Sequence, residues 1–151
     1  MSVEQKLLDD LKAAMKARDE LATAVLRMLK SQLMLEKTKK GGEKELKDET
    51  VLQVFASYAK KLVEAIEQFE KGGRDDLVAR HRAELEIVRR YLPEQAGADE
   101  IGSVIEETIA ATGAVGMADL GKVMGPVMAR LKGRADGKLI NQLVREKLQA
   151  R

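Results

Sequence analysis

Apolar residues recur three and four apart along almost the whole chain, the period of a helix with one buried face. Leu7, Leu8, Leu11, Ala14 and Met15 form the first stripe, behind Ser2 and Gln5 at the spacing of a capping box. A second helix is predicted from near Asp19 on Ala22, Val25, Leu26, Leu29 and Leu33. A third starts at Lys47 or Asp48 and aligns Val51, Leu52, Phe55, Ala59, Leu62, Ile66 and Phe69, with Gly72-Gly73 supplying the left-handed freedom of a C-cap. Between these two, the segment 37–47 places Gly41 and Gly42 among Lys and Glu with no apolar period, and reads as a mobile loop. A fourth helix runs from about Asp75 to Tyr91 on Leu77, Val78, Leu85 and Val88, stopped by Pro93.

The stretch 93–98 contains the first Pro, a Gly and no large apolar residue, which makes it the natural linker. Beyond it, Asp99 can cap a helix on Ile101, Val104, Ile105 and Ile109 that ends at Gly113. The next runs from Met117 to Leu131 and sets Met117, Leu120, Met124, Val127, Met128 and Leu131 on one face. Asp136 caps the last, whose buried side is Leu139, Ile140, Leu143, Val144 and Leu148. The expected fold is all-α, with an N-terminal four-helix domain over 1–92, a linker over 93–98 and a small three-helix domain over 99–151.

Composition narrows the chemistry. No Cys is present, so thiol nucleophiles, disulfides and Cys metal sites are excluded. The first thirty residues carry charges throughout, and no apolar run reaches the roughly 18 residues of a membrane span. A soluble cytoplasmic protein is the expectation. Formal charge is only +2, but residues 120–151 carry eight basic and two acidic side chains, a local +6, against −4 for residues 1–119. Such a tail suggests an anionic partner.

The densest cationic spot is the turn 131–138, where Lys132, Arg134 and Lys138 surround Gly133 and Gly137. Glycine permits close backbone approach and Arg and Lys bind phosphate, although a capping Asp136 repels an anion placed at the helix start. The bland reading of this turn is a glycine C-cap with a solvated basic edge. Gly121 and Gly125, four apart, suit close packing of helices, and Pro126 is expected to bend the helix near Lys122. The single His81 lies on the apolar stripe of its helix and reads as a packed or boundary imidazole. Phe55, Tyr58, Phe69 and Tyr91 read as core, which leaves few stacking platforms for bases. Met117, Met124 and Met128 read as core filler, or else as a groove by which an adaptor binds a protein partner. No catalytic residue, metal or cofactor is predicted, because the acid pairs lack a partnered base or nucleophile.

Three motifs give the chain a family resemblance: Tyr91-Leu92-Pro93-Glu94-Gln95, the run Met117 to Gly125, and the run Leu131 to Leu139. With Val25 to Leu29 and Phe69 to Leu77, they resemble the YqeY-like proteins over nearly the whole length. That family shares its C-terminal three-helix domain with the tail of GatB, one component of the glutamine-dependent amidotransferase, a carbon–nitrogen ligase acting on mischarged tRNA. The resemblance implies a tail that contacts tRNA, with Lys122, Arg130, Lys132, Arg134 and Lys138 as candidate contacts. It also implies an amidotransferase or aminoacyl-tRNA synthetase as a partner, and no catalysis by this chain alone.

Overall fold

The computed structural model describes residues 1–39, 41, 42 and 44–151. Among them are seven α-helices and no strand: α1 (Val3–Lys16), α2 (Glu20–Lys39), α3 (Asp48–Lys71), α4 (Asp75–Arg89), α5 (Ala98–Thr112), α6 (Leu120–Arg130) and α7 (Gly137–Gln149). A short 3₁₀ turn, Met117–Asp119, precedes α6. The chain divides into two compact units, Met1–Leu92 and Pro93–Arg151.

In the first unit, α1 is capped by Ser2, whose hydroxyl accepts from the Gln5 N–H at 3.1 Å. The nitrogen of the Gln5 side-chain amide donates to Asp9 one turn on, at 2.9 Å. Asp19 caps α2 through the Ala22 N–H at 3.0 Å. The stripe expected on α2 is the one buried. Two corrections concern the segment 37–47: α2 continues to Lys39, and Leu46 is buried in the core although it belongs to no apolar period. Lys40 and Glu43, part of the stretch read as a mobile loop, lie outside the described residues.

The left-handed residue after α3 is Gly73, at φ +69°, with Gly72 still right-handed. Arg74 donates to the Phe69 carbonyl at 2.9 Å and Gly73 to that of Glu70 at 3.2 Å, the paired bonds of a Schellman motif. Helix α4 stops at Arg89, and residues 90–92 continue as turns bonded three residues back, so the stop comes before Pro93 takes effect. Ile87, missed by the spacing, is buried beside Val88. The core centres on Leu7, Leu29, Leu33, Val51, Phe55 and Val88. Tyr91 meets Phe55 edge-on at 5.4 Å and its hydroxyl donates to Asp10. Burial first, and the Asp10 carboxylate second, raise the phenol above its usual range. His81 is partly buried, edge-on to Phe69 at 5.0 Å, with Nδ1 3.0 Å from the Leu77 carbonyl oxygen.

The second unit closes its own core from Ile101, Val104, Ile105 and Ile109 of α5, Val123 and Val127 of α6, Leu131, and Ile140, Val144 and Leu148 of α7. The expected face of α6 holds for Met117, Leu120, Met124, Val127 and Leu131 and needs correction at one position. Val123, not Met128, completes the buried stripe with Val127 and Leu131, and Met128 is 40% exposed. Leu139 is likewise 41% exposed, because α7 buries every fourth residue from Ile140 and Leu139 falls to one side. The cap of α5 is Gly97, so Asp99 lies in the first turn and favours the helix through its dipole.

Two consequences are measurable. Phe55→Ala should cost the first unit about 3–5 kcal/mol, while the amide-exchange protection of residues in α5, α6 and α7 stays unchanged. A fragment spanning 93–151 should unfold cooperatively as a helical unit by circular dichroism; a random coil would show that its core cannot close alone.

Candidate nucleic-acid interface

Backbone conformation at Gly133 sets up the basic turn. At φ +75° it takes a left-handed conformation that an L side chain resists, and it reverses the chain after α6 so that Arg134 points back. The Arg134 guanidinium then forms a fork with Glu100 of α5, Nη1 to Oε1 at 2.7 Å and Nη2 to Oε2 at 2.9 Å. Its Nε donates to the Glu94 carbonyl at 2.9 Å. The Arg134 carbonyl accepts from the Ala96 N–H at 2.8 Å, and the Gln95 amide donates to the Gly133 carbonyl at 3.2 Å. All three guanidinium nitrogens are therefore committed within the unit. The stretch read as a linker is bonded along 94–96 to this turn.

The other cations divide by partner. Arg130 donates to Glu107 at 2.7 Å. Glu106 accepts from Lys147 at 3.0 Å and from Arg151 at 2.8 Å. Lys122 lies 3.4 Å from Asp119 but remains 69% exposed. Lys132 and Lys138 are exposed as well. Hence the +6 of residues 120–151 does not survive folding as a free field. Residues 93–151 together hold eight basic and eight acidic side chains, a formal charge of zero, and the balancing carboxylates of Glu100, Glu106 and Glu107 all lie on α5.

At the glycines expected to pack helices closely, the surroundings are open. Gly121 and Gly125 sit two residues off the Val123 and Val127 stripe, and a Cβ at either would meet nothing within 4 Å among the described residues. Close approach falls at Gly137, where a Cβ would stand 3.3 Å from the Met128 methyl, whereas at Gly102 a Cβ would meet the Lys147 stem at an ordinary 3.6 Å. Gly121 and Gly125 instead leave a smooth exposed strip on α6. Met117 and Met124 pack against the core, while Met128 is half out. Asp136 occupies the N-cap position of α7 without a side-chain capping bond, and α6 runs on past Pro126 to Arg130.

One cation on the exposed side was missed. Arg145 is seven residues from Lys138 on α7, hence on the same face, and its Nε donates to Asn141 at 2.7 Å. The helix period carries that signal, but the density of charge at the glycine turn overshadows it. No group of three His, Asp or Glu side chains is placed to hold a metal among the described residues. No helix there is long and apolar enough to cross a membrane.

A family model described as Yqey-like protein matches residues 4–148. This chain belongs to that family. It is 31% identical over 160 residues to a glutamyl-tRNA(Gln) amidotransferase subunit of Thermococcus sibiricus, an alignment covering 98% of this chain and 24% of that protein. The like-named protein of Thermococcus gammatolerans is 49% identical over 49 residues, 32% of this chain and 8% of the relative. The chain is also 26% identical over 149 residues to altered inheritance of mitochondria protein 41 of Pyrenophora tritici-repentis, covering 97% of this chain and 81% of the relative. It thus spans about a quarter of the Thermococcus sibiricus protein and most of the fungal one, whose name places it in mitochondria.

Hydrogen bonds hold three carboxyls of this unit below their usual range: Glu100 through Arg134, Glu106 through Lys147, and Asp119 chiefly through the Val115 N–H and then Lys122. A carboxyl whose value is lower folded than unfolded stabilises the fold above the unfolded value and ceases to do so as pH falls through the folded one. The melting temperature of fragment 93–151 should therefore be level near neutrality and decline below about pH 4. Glu100→Gln should lower the neutral value and flatten the acid decline. An acid profile identical to that of the unaltered fragment would show that the fork with Arg134 contributes nothing.

Proposed function

We propose that this chain is a noncatalytic tRNA-binding module whose second unit meets the RNA backbone through exposed cations, acting alone or in association with an amidotransferase. The observation that carries the reading is similarity over 98% of the chain to a protein named as a component of a glutamyl-tRNA(Gln) amidotransferase. The geometry supports a revised set of contacts. Lys122 on α6, Lys132 in the turn, and Lys138 and Arg145 on α7 are exposed, and the last two share a face with Asn141 and Gln142. Gly121 and Gly125 add a strip without side chains, along which a sugar–phosphate backbone can approach α6. Arg134 moves from contact to support: its fork with Glu100 fixes the turn that carries Lys132 and Lys138. Arg130, bonded to Glu107, serves the same end.

Phe55, Tyr58, Phe69 and Tyr91 are all in the first unit, three of them half-buried and Phe55 fully buried. Stacking on bases has no aromatic in the second unit to use, so recognition rests on shape and charge more than on sequence. A backbone-directed site of about four cations predicts a log–log dependence of the binding constant on salt with slope roughly −3. Lys132→Ala with Lys138→Ala should flatten that slope by up to about two units and weaken binding to any tRNA alike. Arg134→Ala should lower thermal stability yet keep most of the slope. The test is tRNA binding across a salt series for all three proteins. Equal affinity and slope in the double lysine variant would remove this face from consideration.

A further inference from the structure

Helix α2 is apolar on two sides. Its core stripe is Ala22, Val25, Leu26, Leu29 and Leu33, yet Met28 is 44% and Leu35 58% exposed. These two belong to a second row, Leu21, Ala24, Met28, Ser31, Leu35 and Thr38, whose members alternate at steps of three and four. At roughly 100° per residue this row lies across the helix from the core stripe. Leu21 is half-buried and the other five are exposed. An alternation of three and four sustained over several turns is the spacing of a helix-pair seam, and while Leu21 also packs against the core of its own unit, the other five positions of the row are exposed.

We propose that this row is the contact of an antiparallel helix pair formed by α2 of two copies of this chain. In an antiparallel pair the alternate positions of one helix sit level with the intervening positions of the other. With Met28 level with Ser31 of the second copy, Ala24 falls level with its Leu35 and Leu21 with its Thr38. Every layer then sets one large side chain against one small one, as close interdigitation requires. Charge agrees with this direction. The exposed acid Glu20 opens α2 and the exposed Lys39 closes it, so each acidic end comes level with the basic end of the other copy and the two helix dipoles oppose. A parallel pair in register stacks Leu21 on Leu21 and Ala24 on Ala24, and brings like charges level at both ends.

The association is read by sedimentation of the full chain across a concentration series. The expected result is a mass rising from one chain to two, and Met28→Glu with Leu35→Glu remaining a single chain throughout with an unchanged helical spectrum. Direction is read separately with cysteines, since the natural sequence has none. Ala24→Cys and Leu35→Cys chains, mixed and oxidised, should cross-link to each other, and neither should cross-link when alone. Like positions in the antiparallel pair are eleven residues apart along the axis, about 16 Å, well beyond the ~7 Å a disulfide spans. Self-linked Leu35→Cys with no mixed product overturns the antiparallel pairing. A single chain at every concentration, or a dimer that survives the double Glu variant, overturns the proposal and leaves this face to another protein or to solvent.

Discussion

With two Phe, two Tyr and no Trp, this chain must close its cores with aliphatic side chains, and that requirement governs everything else. A Leu, Ile or Val contributes less area than a large aromatic ring, so each helix must commit a full stripe rather than a single anchor. The first unit has Phe55 and its edge-on partner Tyr91 at its centre and extends outward on leucines. The second has no aromatic at all and relies on ten Ile, Val and Leu side chains together with Ala114. Such a core tolerates little slippage, because a helix turned by one residue loses its whole contribution.

In the second unit the ties between distant segments at the surface are ionic. α5 brings Glu100, Glu106 and Glu107 to Arg134 of the turn, Arg130 at the end of α6, Lys147 of α7 and Arg151 after it, and each bond joins segments between 23 and 45 residues apart in sequence. Isolated surface pairs of this kind contribute little, but the Arg134 fork is bidentate and also holds the backbone of 94–96. It therefore fixes a loop whose own sequence, with Pro93 and Gly97, has no helical or strand preference. A charge sum over 93–151 already gives neutrality; what the folding adds is which carboxylate meets which cation.

The sequence made the helices legible to within a few residues, and the reason is periodicity: α2 and α5 bury the very stripes their spacing predicts. It failed where two apolar rows compete on one helix. On α6, Met124 and Met128 promise the same face as Val127, and only the position of α7 decides that Val123 is inside and Met128 half out. The glycines failed for a related reason. A spacing of four says that Gly121 and Gly125 share a face but not which face, and here it is the open one. Leu46 was invisible because a single buried leucine in a polar loop has no period to announce it. Of the five cations singled out, Arg130 and Arg134 proved committed to glutamates, a long-range fact that no local pattern encodes.

Among the cations of the second unit, arginine and lysine divide the labour in a way that bears on the RNA reading. The guanidinium is a rigid planar fork suited to fixed geometry, and Arg130, Arg134 and Arg151 all donate to glutamates. The ammonium is a compact hydrated charge on a flexible stem, and Lys122, Lys132 and Lys138 keep theirs at the surface. Binding a nucleic-acid backbone gains chiefly from counterion release, which exposed ammonium groups supply without demanding fixed hydrogen-bond angles. Two residues cross the division: Lys147 is bonded to Glu106 of α5, and Arg145 is exposed and donates to Asn141 rather than to a glutamate. What decides each cation's role is thus the surface offered to it by the neighbouring helix, and α5 offers carboxylates on one side only.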